Sequence, residues 1–312
     1  MRNTLQLGLV VALVLALTGC FGFLKPEDAK LEQLELTAGA EVVEPGESVT
    51  LTVVGKDAKG KNVVIEPTAD NWSWEPENAG TLTVDEADPK QAVFTASAEF
   101  EGEVTVKVIY EELEAEVSFN VAEVEILGVK ACDYVDQGPG DYEQNYTNAK
   151  QTDDNNGVRK RENDERGYKA LTWFSHWNWP GHWIQWEIEV AEAGDYALVM
   201  RYATKEVPPY TDRWLKINDE EIHGADNPIE FPSTGGFGDS PEQWGFVVVP
   251  VNIKEPGTID LILTHAGPEG ERKGLNLAYL ALVSPANVTV DEAFLLRIEE
   301  AIGVERMEGF WN

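Results

Sequence analysis

Residues 31–122 alternate apolar and polar positions in short runs, the pattern of antiparallel β-strands with one buried face. Turn-forming residues separate the runs, for example at residues 44–47 and 57–60. Short strands at this spacing predict an antiparallel sandwich, with Trp72 and Trp74 supplying much of its core. The predicted strands are residues 34–36, 48–54, 80–84, 92–96, 103–108 and 115–119.

Residues 123–285 repeat the period-two pattern and are rich in aromatic side chains. Their length and strand content predict a two-sheet jelly roll. The predicted strands are residues 183–190, 195–202, 214–217, 244–251, 258–264 and 275–283. The tryptophans that fall on strands or at strand starts are interpreted as core residues: Trp183, Trp186, Trp214 and Trp244.

The pattern changes once more in residues 286–312, where residues 289–302 predict a short capped amphipathic helix. The predicted fold class is therefore all-β: an immunoglobulin-like sandwich over residues 31–122, a jelly roll over residues 123–285, and a helical tail. The sequence leaves open whether the tail packs on the sandwich or meets a partner.

The first twenty residues are different: a positive start is followed by an apolar run over residues 7–17 and then by Leu-Thr-Gly-Cys at residues 17–20. The run is shorter than the roughly 20 apolar residues that span a bilayer. It resembles a bacterial lipoprotein signal, which implies a signal peptide over residues 1–19, a lipid on Cys20 and a linker over residues 20–30. The chain is then expected to be extracytoplasmic, anchored to the cell membrane or outer membrane. An ordinary secretory signal is the alternative.

The net charge excludes one class of partner, and the cysteine content excludes a disulfide-stabilised fold. The chain has 56 acidic and 24 basic residues, a net charge of -32, which argues against nucleic acid as a partner. With Cys20 lipidated, Cys132 has no partner in the chain, so no disulfide framework supports the fold.

The first sandwich resembles bacterial immunoglobulin-like domains. The resemblance depends on Val-Glu-Pro-Gly-Glu at residues 43–47, Asp-Ala-Lys-Gly-Lys at residues 57–61 and Trp-Ser-Trp at residues 72–74. It implies a spacer, or an adhesin segment, with no chemical role.

The second domain resembles carbohydrate-binding modules of families 6 and 35, which have a galactose-binding-like jelly roll. The resemblance covers the whole domain, because its landmarks occur in the family's order. They are residues 132–134, 154–165, 167–186, 193–203, 234–244 and 274–280.

The resemblance also implies a place for the sugar, in the loops at one edge of the jelly roll. The family's aromatic residues and its asparagine fall on Trp173, Phe237 and Asn276. Flat aromatic faces complement the C–H faces of sugar rings, and a polar neighbour fixes their orientation. Trp177 and Trp179 lie in a loop bounded by proline and glycine and are added as candidate ligand-binding residues.

No cofactor or metal is expected. The resemblance implies that the family's structural calcium is held partly by the carboxylates of a Glu-Ala-Glu run and of a later Asp; the run reads Lys-Ala-Cys at residues 130–132 here, so the three ligand positions are Lys130, Cys132 and Ala278, and none offers a carboxylate. Residues 153–157 are interpreted as a solvated turn. The histidines have no metal-ligand spacing and are interpreted as structural: His176, His182, His223 and His265.

The sequence therefore predicts a non-catalytic surface lipoprotein that binds carbohydrate by aromatic stacking and is displayed on an immunoglobulin-like spacer. No nucleophile elbow or phosphate-binding loop occurs in the sequence. The alternative is a structural or adhesive cell-envelope protein whose jelly roll contacts another protein.

Overall fold

The computed structural model describes residues 30–138, 158–268 and 273–311. Cys20 and the predicted turn at residues 153–157 lie outside these ranges. The described residues form strands β1 to β20 and one α-helix, α1 (Glu292–Ala301), which confirms the all-β prediction with one short helix. Within the same ranges no helix has the length and apolar character that a membrane span requires.

The first part of the chain is a sandwich of two sheets. In one sheet the strand order is β1-β3-β7-β6 with β4 beside β3, and in the other it is β2-β9-β8-β5. The first sheet contains β1 (Gln33–Ala38), β3 (Ser48–Lys56), β4 (Asn62–Val63), β6 (Gly80–Val84) and β7 (Gln91–Ala96). The second contains β2 (Val42–Val43), β5 (Trp72–Glu75), β8 (Gly102–Tyr110) and β9 (Leu113–Val121).

The core of this sandwich follows from the alternation of apolar and polar residues. Val49, Leu51 and Val53 of β3 are buried, while the residues between them face outward. Trp72 is buried in this core, and Trp74 packs against it from the edge.

The second part of the chain is also a sandwich. Its six-stranded sheet has the order β12-β13-β20-β15-β18, with β10 beside β20, and its five-stranded sheet has the order β11-β14-β19-β16-β17. The six-stranded sheet contains β10 (Glu125–Lys130), β12 (Arg159–Lys160), β13 (Phe174–Trp177), β15 (Gly194–Ala203), β18 (Gly245–Ile253) and β20 (Leu275–Ser284). The five-stranded sheet contains β11 (Asp136–Gly138), β14 (Trp183–Val190), β16 (Arg213–Ile217), β17 (Glu220–His223) and β19 (Gly257–His265).

The six-stranded sheet is buried on both faces. Leu280 and Leu282 of β20 point into the core between the two sheets. Tyr279 and Ala281 of the same strand point the other way, into a second apolar layer. A strand covered on both sides is expected to be continuously apolar, which explains why β20 departs from alternation.

Helix α1 and the residues after it supply this second layer. Phe294, Leu295 and Ile298 of α1 are buried against the sheet. The Asp291 side chain accepts a hydrogen bond from the Phe294 N–H at 2.8 Å and caps the helix. The tail therefore packs on the second sandwich.

Helix α1 also contacts the first sandwich. The Arg297 guanidinium lies 2.7 Å from the Glu44 carboxylate, an ion pair between the two halves of the chain. Both side chains are partly exposed, so this pair contributes little to stability.

Candidate functional site

A cavity of about 380 Å³ opens at one edge of the second sandwich, where β13 ends and β20 begins. This volume lies in the range of small-molecule sites, roughly 300–1,000 Å³. The loops after β12 and β15 and the loop before β18 complete its wall. The lining residues are Arg161, Arg166, Ser175, His176, Trp177, Asn178, Lys205, Glu206, Phe237, Lys273, Gly274, Leu275 and Asn276.

Phe237 and Asn276, two of the residues predicted to bind sugar, both line this cavity. The buried Asn276 side chain donates from Nδ2 to the Phe237 carbonyl at 2.7 Å, and Arg166 Nη1 donates to the same oxygen at 2.5 Å. Gly238 follows with a φ of +88°, a conformation that favours glycine. The half-buried Phe237 ring is therefore fixed at the cavity wall by its own main chain.

The cavity is positively charged. Its lining contains Arg161, Arg166, Lys205 and Lys273 but only one carboxylate among the described residues, Glu206. In a chain of net charge -32, this is a marked local reversal of sign.

Arg161 and Lys273 are only loosely paired with carboxylates, whereas Arg166 Nε lies 3.3 Å from the Asp239 carboxylate. The Arg161 guanidinium lies 3.6 Å from Glu165, and Lys273 Nζ lies 3.8 Å from Glu206, both too long for a hydrogen bond. Burial is the main cause that lowers the pKa of Arg161, so its charge is held at a cost in solvation. An anion in the cavity would give Arg161 and Lys273 hydrogen-bond acceptors close enough to replace these long contacts, and Arg161 Nε is buried without a hydrogen-bond partner among the described residues.

His176, which is interpreted from the sequence as structural, also lines the cavity. It is exposed, has a φ of +66°, and lies where the pairing of β13 with β20 is interrupted by a bulge. Its Nδ1 lies 2.7 Å from the Ser175 hydroxyl. The bulge turns His176 outward while its neighbours on β13 stay in the core.

Trp173 is wrongly predicted as a stacking residue, because its side chain is completely buried. Its Nε1 donates to the Glu165 carbonyl at 3.1 Å, and Trp244 packs edge-on against it. The guanidinium groups of Arg161 and Arg166 lie 5.0 Å and 5.8 Å from the ring centroid. Two cavity arginines thus occupy the position expected for a sugar.

Trp177, a third candidate ligand-binding residue, also lines the cavity, but its side chain is completely buried, so the expectation that it is exposed in a loop is wrong. It is the last residue of β13, and its ring packs in the core with the Arg213 guanidinium 3.9 Å from the centroid. Trp179 is half-buried and does not line the cavity.

The four tryptophans predicted to lie in the core divide into two groups. Trp186 and Trp244 are buried, as predicted. Trp183 and Trp214 are only half-buried, and both pair with Thr264 of β19. They alternate with the buried residues of their strands and face outward, so the interpretation of these two as core residues is wrong.

The positions that hold the family's calcium do not fit a metal here. Cys132 and Ala278 are buried, and the Cys132 thiol donates to the Trp173 carbonyl at 2.9 Å. Among the described residues, no group of three or more His, Cys, Asp or Glu side chains is placed to hold a metal ion.

The sequence contained one signal for the basic wall that sequence reasoning missed. Residues 159–161 read Arg-Lys-Arg and Arg166 follows, a basic cluster in a chain with more than twice as many acidic as basic residues. Lys205 and Lys273 carry no such signal, because only the fold brings them to the same edge.

Comparison with solved structures finds carbohydrate-binding modules. A family 35 module from Clostridium thermocellum is 19% identical and covers 52% of this chain and 98% of its own, with a TM-score of 0.37. A family 6 module of Cellvibrio mixtus lichenase 5A, solved with cellotriose, is 16% identical and covers 50% of this chain and 94% of its own, with a TM-score of 0.33. A family 35 module from Cellvibrio japonicus is 16% identical, covers 55% and 99%, and has a TM-score of 0.34. No family model and no curated protein matches the chain.

Proposed function

We propose that this chain is a non-catalytic carbohydrate-binding protein whose cavity takes a sugar that carries a carboxylate or sulfate group. The observation that supports this proposal is the basic lining around Phe237 and Asn276 in an otherwise strongly acidic molecule. The field of the whole chain repels anions, so a net positive cavity is a local feature that favours an anionic ligand.

Each part of a charged sugar has a complementary group in the cavity. Arg161 and Arg166 offer guanidinium donors, which form charge-assisted hydrogen bonds with carboxylate or sulfate oxygens. The Lys205 ammonium lies 5.5 Å from the centroid of the Phe237 ring, and the part of the ring that Lys205 does not cover offers an apolar surface to the C–H groups of a sugar ring. Lys205 and Lys273 are exposed at the mouth and would steer the anion inward.

We also propose that the cavity is displayed outside the cytoplasm, on the first sandwich as a spacer and with a lipid on Cys20. The support is the signal-like sequence of residues 1–20 and the position of the first sandwich between that segment and the cavity domain.

The test is calorimetric titration of the chain from residue 30 with an oligogalacturonate and with its carboxyl-reduced, neutral counterpart, each with and without a chelator. We expect the acidic oligomer to bind, the neutral one to bind at least tenfold more weakly, and the chelator to change nothing. A charge-assisted hydrogen bond contributes about 1.5–3 kcal/mol, or roughly 10- to 150-fold in affinity, so one such bond accounts for the tenfold difference.

The matched variants are Lys205→Ala/Lys273→Ala and Lys254→Ala. Lys254 is an exposed lysine paired with Glu220 on the other sheet and does not line the cavity. The double variant should lower affinity, and the control should not. Equal binding of the acidic and neutral oligomers would refute the charge argument. If neither these oligomers nor a panel of sulfated oligosaccharides bound, the proposed function would fail.

A further inference from the structure

The segment Val304–Trp311, here called the buttress, follows α1 and contacts the arginine loop, residues 158–172, which carries Arg161 and Arg166. Two main-chain hydrogen bonds join the segments: Lys169 N–H to the Glu305 carbonyl at 3.0 Å, and Met307 N–H to the Gly167 carbonyl at 2.8 Å. The buttress therefore pairs with the loop as a short strand would.

Side chains of the buttress fix the same loop from outside. Trp311 Nε1 donates to the Gly167 carbonyl at 2.6 Å, and its ring packs edge-on against Tyr168. Gly167 has a φ of +88°, and a Cβ there would lie 2.5 Å from the Phe310 ring. The loop thus approaches the buttress as closely as a residue without a side chain allows.

Aromatic side chains connect the buttress to the rear side of the cavity wall. Tyr168 packs edge-on against Trp244, with ring centroids 4.9 Å apart. Trp244 Nε1 donates to the main-chain carbonyl of Arg166 at 2.9 Å, and Trp173 packs between Trp244 and the arginine side chains. A continuous set of aromatic contacts therefore joins Trp311 to the cavity arginines.

The buttress is itself anchored by a buried ion pair. Glu299 of α1 is 2% exposed and pairs with Arg306, whose Nη2 lies 3.0 Å from Glu299 Oε1. The same oxygen accepts the Tyr168 hydroxyl at 3.2 Å. One buried carboxylate thus binds the helix, the buttress and the arginine loop together.

We infer that the buttress is a positioning segment for the cavity: it holds Arg161 and Arg166 in the conformation that binds an anion, although none of its residues lines the cavity. The inferred effect of the buttress on binding rests on the proposed function. The inferred effect on the conformation of the loop does not. Without the buttress, the binding-competent loop would be only partly populated, and apparent affinity falls in proportion to that population.

The test compares the chain from residue 30 to Asn312 with the variant Phe310→Ala/Trp311→Ala, and with Leu296→Ala as the control. Leu296 is a large apolar residue of α1 that is 49% exposed. The readouts are hydrogen–deuterium exchange of residues 158–173 without ligand and the dissociation constant for the acidic oligomer. Both are measured at a temperature where circular dichroism shows every variant to be folded.

We expect the double variant to exchange at least tenfold faster in residues 158–173, with core strand β19 unchanged, and to bind about tenfold more weakly. The single variant Phe310→Ala, which retains Trp311, should keep most of the protection from exchange in residues 158–173. Unchanged exchange in the double variant overturns the inference, and so does faster exchange with unchanged affinity. If the unaltered chain binds no acidic sugar, the proposed function fails, and exchange alone decides whether the buttress holds the loop.

Discussion

Among single residues, His176 gives the cavity a side chain whose charge changes at acidic pH. Partial burial lowers its pKa below the usual value for histidine, and the charges of Arg159, Arg161 and Arg166 lower it further. The imidazole of the free protein is therefore neutral at pH 7. A bound anion would offset the arginine charges and raise this pKa, so binding and protonation favour each other.

We accordingly expect affinity for a sulfated sugar to increase as the pH falls from 7 to 5. A sulfate ester stays ionised over this range, so any change in affinity comes from protonation of the protein and not of the sugar. In His176→Ala the affinity should be nearly independent of pH, whereas His223→Ala, on β17 of the other sheet, should behave as the unaltered chain does. Calorimetry at several pH values measures this, and a slope that survives in His176→Ala would contradict it.

Single residues of the cavity differ in how far the sequence predicts their positions. The motifs around Phe237 and Asn276 predict that both lie at its wall, and both line the cavity. The motif around Trp173 could not reveal that Arg161 and Arg166 cover its ring, because those contacts depend on a loop folding back from distant sequence. Burial of a particular aromatic face is a tertiary property.

At the scale of elements, α1 places a buried carboxylate where an apolar residue would be expected. Glu299 accepts hydrogen bonds from Arg306, Tyr168 and Tyr279. A buried carboxylate is tolerated only when such partners are present, and removal of one partner leaves the others unsatisfied.

We therefore expect Glu299→Ala to lower the free energy of unfolding of the second sandwich by about 3 kcal/mol or more, because Arg306 loses its buried partner. Glu300→Ala, at the neighbouring exposed position of α1, should change it by less than about 0.5 kcal/mol. Urea denaturation followed by tryptophan fluorescence measures both. A loss below 1 kcal/mol in Glu299→Ala would mean that the network contributes little.

Long strands were predictable from the sequence, and short ones were not. Strand β14 has the predicted bounds, and β19 and β20 extend beyond theirs by only a residue or two, because alternation or a long apolar run defines each. The two-residue β12 has no periodicity to detect, and β13 is interrupted by a bulge. These two short strands position much of the cavity wall.

At the scale of the whole molecule, the net charge of -32 acts on stability and on binding in opposite ways. Repulsion among the acidic residues disfavours the compact state, and salt screens this repulsion. The attraction between the basic cavity and an anionic sugar is screened by the same ions.

Raising sodium chloride from 20 to 500 mM should therefore raise the melting temperature by a few degrees, equivalent to roughly 1 kcal/mol, while weakening acidic-sugar binding several-fold. Chloride is preferable to sulfate, which would itself compete for the cavity. Calorimetric melting and titration at each salt concentration measure the two effects. If both moved in the same direction, the charge asymmetry would not govern either property.

The two-sandwich architecture was evident from strand spacing, but the role of the tail was not. The sequence predicted a capped helix and left its location open. The covering of the six-stranded sheet by α1 follows from apolar side chains on both of its faces, which becomes visible only when β15 and β20 are known to be neighbours.

The fold protects Cys132 from chemical modification. Its thiol is buried, donates to the main chain of Trp173, and has a pKa raised by burial to about 11. A thiolate is the reactive species toward alkylating reagents, so the folded domain shields this sulfur both from contact with a reagent and from ionisation. Slow alkylation of Cys132 therefore requires the domain to open behind the cavity wall. The rate of alkylation reports how often this opening occurs.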